Sequence, residues 1–286
     1  MRRRVAWVAS SFLVVAVVGI LVLNLSGQFV WGKFSTWAKA GSERKEELIN
    51  QELETLKDHP WAGKYYYGDG LGVNVSLSLA PKSGFVFTWN GCLGLYDLNY
   101  GDVGEADRRI RFVFKYPNVR KGFQGIAPEL LPVAWGDRHY LIPADKVVDF
   151  ANAINAGFEP RNNVHGRFLL RVGDELKPAR GEPNIPLEYS EYLLKQPIEA
   201  QISSVKESRM EDSKRITTAV LNVGTAQGVR QGMELWVYVP SAIYGMARVT
   251  SVGSSHSEAT IDQYEADGKS HLPSLGWKLS THAGHD

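Results

Sequence analysis

Apolar and polar residues alternate along several short segments between residues 72 and 116, and this pattern favours β-strands over helices. In the segment 72–80, valine or leucine takes every second position, which is the spacing of one face of a pleated strand. The segments 84–91 and 110–116 repeat the pattern with aromatic residues. Turn residues at 81–84 join the first two segments into a predicted hairpin. Short strands of this kind indicate a mainly β fold that closes into an antiparallel barrel or a sandwich.

An uncharged, strongly apolar run from Val5 to Leu25 precedes these strands. As a helix it is long enough to cross a hydrocarbon core of roughly 30 Å. Arg2, Arg3 and Arg4 stand directly before it and place the N-terminus in the cytoplasm by the positive-inside bias. A cleaved signal peptide is the competing interpretation, but the run is longer than a usual signal core and a poor cleavage site follows it. We therefore expect a single-pass signal-anchor, with the rest of the chain exported.

The chain behind the anchor divides by pattern into a stalk, two β units and a linker. Strong helix formers between Ser42 and Pro60 predict the stalk. A helix that begins at a proline and ends before a glycine interrupts the first β unit. The expected divisions are the cytoplasmic tip and anchor (1–27), a helical stalk (28–60), an antiparallel β domain (61–172) with a helix at 143–156, a linker (173–197) and a smaller β-barrel (198–286).

Charge and cysteine content exclude several classes of function. The net charge of +1 gives no general field for nucleic acid, so no nucleic-acid partner is expected. The single cysteine, Cys92, excludes an internal disulfide. We predict no cofactor and no metal, since the histidines lack metal-site spacing. The acidic residues after the aromatic hairpin are expected to form a solvated loop, with a weak cation site as the alternative; they are Asp97, Asp102, Glu105 and Asp107.

A glycine pattern in the last unit resembles the small β-barrel of the bacterial periplasmic rod-shape-determining scaffold and the C-terminal domain of a flagellar assembly protein. The positions that carry the resemblance are Gly224, Gly228, Val229, Gly232, Gly245 and Val249. Glycines at such turns allow positive φ where one strand folds back on the next, and Val229 is expected to plug the barrel end. The resemblance implies a cell-envelope protein in the bacterial inner membrane, with its β units periplasmic or extracellular.

The opening of the first β unit resembles the first strand of lipocalin-like barrels, because Trp61 and Gly63 stand beside a run of tyrosines at 65–67. A barrel lined by aromatic residues is mostly core, but it can also hold an apolar ligand. The candidate ligand-binding residues are Tyr65, Tyr67, Phe85, Phe87 and Trp89.

Cys92 is the candidate nucleophile, because glycines flank it and His139 or His165 could lie near it in space. No family signature surrounds it, and a lone cysteine at a strand edge is more often a small apolar filler.

Three functions remain open from the sequence. The first is a non-enzymatic binding or scaffold protein of the envelope, whose partners are the bilayer through residues 5–25 and another envelope protein. The second is a carrier or sensor of a small apolar ligand in the first β unit. The third is a hydrolase that uses Cys92.

Overall fold

A computed structural model describes residues 37–284 of the chain, apart from residues 57, 69, 71, 93, 121–122, 161–167, 212–213, 240–241 and 265–271. The described chain is mainly β and contains two closed antiparallel barrels. Two helices accompany the barrels, α1 over residues 37–55 and α2 over Val147–Asn155. The anchor predicted at 5–25 lies outside the described residues and stays a prediction. Among the helices that are described, none is long and apolar enough to cross a bilayer.

Eight strands form the first barrel, and their order around it follows the chain. In sequence they are β1 (Gly63–Gly68), β2 (Asn74–Ala80), β3 (Gly84–Gly91), β4 (Gly94–Ala106), β5 (Arg109–Phe114), then a separate ribbon of β6 (Val119–Arg120) and β7 (Phe123–Gln124), and then β8 (Glu129–Trp135), β9 (Arg138–Pro143) and β10 (Leu169–Arg171). Pairing of β10 with β1 closes this up-and-down meander. Lipocalins have the same up-and-down arrangement, although the sequence resemblance to them stays a prediction.

The strand register arranges the inward side chains in layers. The layers across β1, β2 and β3 are Tyr67–Val75–Trp89, Tyr65–Leu77–Phe87 and Gly63–Leu79–Phe85. Trp61 is buried at the end nearest the third layer, where its indole Nε1 donates to Glu105 Oε2 at 2.7 Å. We call this the closed end of the barrel, and the end nearest the first layer the open end.

Helix α1 lies within the stalk predicted at 28–60, and it packs against the outside of the first barrel. Its apolar residues Ala38 and Ile49 are buried with Ala80, Val86 and Leu98 of the sheet. This packing follows from the helical stripe of leucine and isoleucine, since an apolar stripe is stable only when it is covered.

Contacts near both ends of α1 fix its position on the first barrel. Near its C-terminal end, the Glu52 carboxylate accepts hydrogen bonds from the backbone amides of Lys82 and Ser83, at 3.1 and 2.7 Å. Those residues form the β2–β3 turn at the closed end. Near its N-terminal end, Gly41 lies against Tyr100, so closely that a Cβ there would overlap the tyrosine hydroxyl. Tyr100 lies opposite Val86 of β3, next to the Phe85 layer, so both contacts hold α1 against the closed half of the barrel.

Six strands form the second barrel, in the order β11-β12-β15-β14-β13-β16. They are β11 (Glu199–Glu211), β12 (Lys214–Leu221), β13 (Glu234–Val239), β14 (Ala242–Val252), β15 (Ser257–Tyr264) and β16 (Lys278–Ser280). Pairing of β16 with β11 closes the ring. The buried core is almost entirely aliphatic, and four of its members are alanines: Ala200, Ala219, Ala247 and Ala259.

Helix α2 joins the two barrels. One side of the helix buries Val147 and Phe150 against the outer face of the first barrel. On the side toward the second barrel, the Asn152 side chain donates to Gly232 O at 2.9 Å and accepts from the amide of Glu234 at 3.3 Å. Asp149 accepts from the Arg248 guanidinium at 3.1 and 3.2 Å. Because these contacts are partly buried and specific in geometry, the helix fixes one barrel to the other.

One expectation from the sequence was wrong about local structure, and one strand was not predicted. The acidic stretch after the aromatic hairpin is the long strand β4 and not a solvated loop, with Asp107 alone in the following turn. Its carboxylates have protein partners: Asp102 pairs with Lys45 at 2.9 Å, and Glu105 accepts from Trp61. The second difference is β11, which no alternating pattern predicted.

Candidate functional site

A cavity of about 320 Å³ opens at the open end of the first barrel. It lies inside the ring of strands, and most of its wall is apolar: Tyr67, Val75, Phe87, Trp89, Ile126, Ala127, Leu130, Leu141 and Leu169. Gly125, Pro143, Asp145 and Lys146 complete the lining. A volume of this size is at the lower bound of small-molecule sites in proteins, so the cavity can hold a slender or compact apolar group.

Three of the five residues proposed for ligand binding line this cavity. Tyr67 and Trp89 belong to the first inward layer, and Phe87 reaches the cavity from the layer below. Tyr65 and Phe85 do not line it. Alternation alone could not separate these two groups, because it gives the face of a strand and not the depth of a residue inside a barrel.

Tyr65 belongs to the closed end of the barrel. Its hydroxyl donates to Trp61 O at 3.1 Å, and the Arg171 guanidinium lies over its ring at 5.5 Å from the centroid. Burial raises the pKa of Tyr65 to about 12, although the Arg171 charge acts in the opposite direction. The phenol is therefore neutral and serves the packing of the closed end.

The far wall of the cavity contains residues that were not predicted from the sequence. Leu130, Leu141 and Leu169 come from β8, β9 and β10, and they are fully or almost fully buried. The segments 131–135, 139–142 and 165–172 are short strand candidates in the sequence, and alternate positions along them are the signal that indicates this wall. Ile126 comes from the β5–β8 connection, where no periodic pattern marks it.

Charged residues in the cavity lining lie at the mouth. Asp145 and Lys146 are exposed in the 3-10 turn that precedes α2. The Lys146 ammonium is 3.0 Å from the carboxylate of Asp149, and Asp149 in turn binds Arg248 of the second barrel. A polar group of a ligand would therefore meet charges of both signs at the mouth, while the interior is apolar.

Exposed apolar side chains lie at the open end. Leu95 and Tyr96 begin β4 just after the β3–β4 turn, and each has about half of its surface exposed. The Tyr96 ring meets the Trp89 ring edge to face at 6.0 Å between centroids. The β6 residue Val119 is also exposed, in the connection that borders the cavity.

Cys92 is exposed in the β3–β4 turn at the open end. His139 lies beside the β8–β9 turn at the opposite end of the barrel, with its Nδ1 2.8 Å from the Asp174 carboxylate. The structure therefore does not bring Cys92 and His139 together. His165 lies outside the described residues.

Asp174 ties the segment after β10 to the β8–β9 hairpin. It also accepts a hydrogen bond from the His139 amide at 2.8 Å and pairs with Lys177 at 2.6 Å. Burial alone would raise the pKa of Asp174, but the bonds from Lys177 and His139 outweigh it and hold the pKa below its usual value. This arrangement is that of a structural tie.

The glycine motif of the second barrel forms the connection between β12 and β13. Gly224 approaches the β14–β15 connection so closely that a Cβ would lie 2.4 Å from Gly253 O. Gly228 and Gly232 have φ of +88° and +86°, and Val229 between them is buried in the barrel core. Gly245 lies within β14, opposite Val237, and does not form a turn. The glycines at 224, 228 and 232 thus shape the end of the barrel.

No family model matches this chain, and no curated protein or solved structure matches it either. Within the described residues, no group of three histidine, cysteine, aspartate or glutamate side chains could hold a metal ion. The cavity is the feature of the described structure from which a function can be argued.

Proposed function

We propose that the chain binds a small apolar ligand, or the apolar part of a larger one, in the open end of the first barrel. The cavity carries this proposal, because burial of an apolar group against its wall contributes about 25 cal/mol per Å² of area removed from water. A barrel interior formed by a closed ring of strands is largely preformed, so little ordering is required on binding.

We also propose that the cavity mouth faces the membrane. Exposed apolar side chains at the open end support this orientation. The exposed residues Leu95, Tyr96 and Val119 lie at the same end, where contact with lipid would remove them from water. The charged residues at the mouth would then lie at the level of the lipid headgroups.

A photoactivatable alkyl diazirine, added to the full chain in liposomes, tests the proposal. The probe is expected to label peptides that contain Trp89 and Ile126. Val75→Trp places an indole inside the cavity and should remove that labelling. Val113→Trp is the matched control, since Val113 is 65% exposed on the outside of the barrel, and it should leave the labelling unchanged. Labelling confined to residues 5–25 would contradict ligand binding in the barrel.

The scaffold function stays as a second candidate. The junction through α2 supports it, because a scaffold needs its surfaces held in one arrangement, and Asn152 and Asp149 provide such a fixed contact. Crosslinking of the full chain in its own membrane, followed by identification of the captured protein, tests this function. The hydrolase that uses Cys92 has no such support in the described residues.

A further inference from the structure

One strand of the second barrel extends beyond its neighbour. β16 pairs with β11 only between Glu199 and Gln201, whereas β11 continues to Glu211. On its other side β11 pairs with β12 as far as Glu211 and Lys214. From residue 203 to residue 211, the edge of β11 that faces away from β12 therefore has no partner strand among the described residues. We call residues 203–211 the β11 arm.

The β11 arm is exposed along its whole length. An exposed strand edge presents a row of backbone N–H and C=O groups, and such an edge is a template for another strand. Bulges interrupt the pairing with β12 between Ile202 and Ser204 and between Val205 and Glu207. Both lie in the half of the arm nearer the barrel, so the segment from Glu207 to Glu211 has the regular geometry that pairing requires.

The charges on the arm are complementary to themselves. Arg209 lies between two acidic residues on one face of the strand, 2.9 Å from Glu207 and 2.8 Å from Glu211. With Lys206, the arm carries two positive and two negative charges. A second copy of the arm is therefore not repelled by net charge, and opposite charges can meet if the register is correct.

We propose that two copies of the chain pair through their β11 arms, as antiparallel strands centred on Ser208. In this register Glu207 of each copy lies opposite Arg209 of the other, so two opposite-charge pairs form across the two-fold axis. Beyond these pairs, the bulge between Val205 and Glu207 interrupts the regular register. The pairing continues the sheet of one barrel into the sheet of its copy, and it does not depend on the proposed ligand.

Charge selects this register over its neighbours. A pairing centred on Arg209 would place Arg209 opposite its own copy and Glu207 opposite Glu211. A pairing centred on Glu207 would place that glutamate opposite its own copy. Like charges directly opposite each other destabilise a strand pair. The centre on Ser208 avoids both repulsions, and its central pairs, from Glu207 to Arg209, lie beyond the bulge in the regular part of the arm.

Disulfide trapping in the full chain, carried in liposomes with Cys92→Ser, tests the register. Ser208→Cys should give a disulfide-linked dimer on oxidation, because directly opposite residues have Cα atoms about 5 Å apart. Glu211→Cys alone should stay monomeric, since its two copies would lie about 20 Å apart. A mixture of Glu207→Cys and Arg209→Cys chains should form the dimer again, because these two positions lie opposite each other in the proposed register. Monomeric Ser208→Cys, or dimeric Glu211→Cys alone, would overturn the proposal.

A charge exchange tests the pairing by a second route. Glu207→Arg and Arg209→Glu should each lower the trapped Ser208→Cys dimer by about tenfold, because each replaces two opposite-charge pairs by like-charge pairs. The double variant restores opposite charges and should recover the dimer. All of these side chains are exposed, so thermal unfolding of the variants should be unchanged, and circular dichroism checks this. Equal trapping in all variants, or no recovery in the double variant, would show that another strand or chance collision accounts for the dimer.

Discussion

Eight strands enclose aromatic side chains in the first barrel, whereas six strands enclose mostly alanine, valine, leucine and isoleucine in the second. The diameter of a barrel grows with the number of its strands. The smaller ring therefore leaves room for short aliphatic side chains, and its alanines occupy positions where a larger group would not fit. In the larger ring even Phe85 and Tyr65 fit inside one end, and a cavity remains at the other.

The comparison also applies to the two ends of the first barrel. At the closed end Phe85 is fully buried and its ring meets the rings of Phe112 and Phe114 edge to face, at 4.7 and 5.6 Å. At the open end Trp89 is only partly buried and borders the cavity. Tight packing and the cavity are thus separated along the axis of one barrel.

The largest effect is expected from truncation at the closed end. Phe85→Ala should lower the free energy of unfolding by about 3–5 kcal/mol, because it removes a buried ring and leaves a hole in a packed core. Trp89→Ala, on the same strand, should cost less, since its surroundings are already open. Chemical denaturation, monitored by hydrogen exchange in the first barrel, measures the loss of unfolding free energy in both variants. Equal losses would mean that the open end is packed as tightly as the closed end.

A smaller loss of stability is expected when a ring is added to the core, and it should differ between the two barrels. Ala219→Phe should lower the stability of the second barrel by about 1–3 kcal/mol, because a ring is forced into a core with no space for it. Val75→Phe adds a ring of the same kind to the cavity and should change the stability of the first barrel little. Hydrogen exchange resolved by barrel is the measurement. Tolerance of the ring at Ala219 would contradict the argument from barrel diameter.

The parts of the fold that the sequence predicts are those with one buried and one exposed face. Strand β5 has such faces, and β2 and β3 keep the alternation of residue types although α1 covers part of their outer side. Acidic residues along β4 made the segment resemble a solvated loop. Their partners, Lys45 and Trp61, lie far away in the chain, so the sequence pattern does not show that these acids are paired within a sheet. β11 was hidden because its outer half is exposed on both faces, so no periodicity develops there.

The site was predictable to the same extent. Aromatic alternation pointed to Tyr67, Phe87 and Trp89, which line the cavity. The depth of each residue depends on how strands are staggered around the ring, and this is a property of pairings between distant segments. Ile126 reaches the cavity from an irregular connection, and the tertiary fold alone positions it.

The smallest effect concerns acid, and it should appear in the first barrel alone. The pKa of Asp174 is held below its usual value by bonds from Lys177 and His139, which outweigh the opposing effect of burial. A carboxylate with a lowered pKa in the folded state adds stability above the pKa of the unfolded chain, near 3.8. That contribution is lost as the pH falls through 3.8 toward the lower folded-state pKa.

Asp174→Asn should therefore destabilise the first barrel at neutral pH, and its difference from the natural protein should shrink as the pH falls below about 4. Asp137→Asn is the matched control, since Asp137 is an exposed aspartate in the β8–β9 turn, and it should show no such convergence. Denaturation of both variants between pH 7 and pH 3, monitored by hydrogen exchange, measures the stability of each barrel at each pH. A constant difference across this range, or an equal response of the second barrel, would show that the Asp174 tie does not set the acid sensitivity of the first barrel.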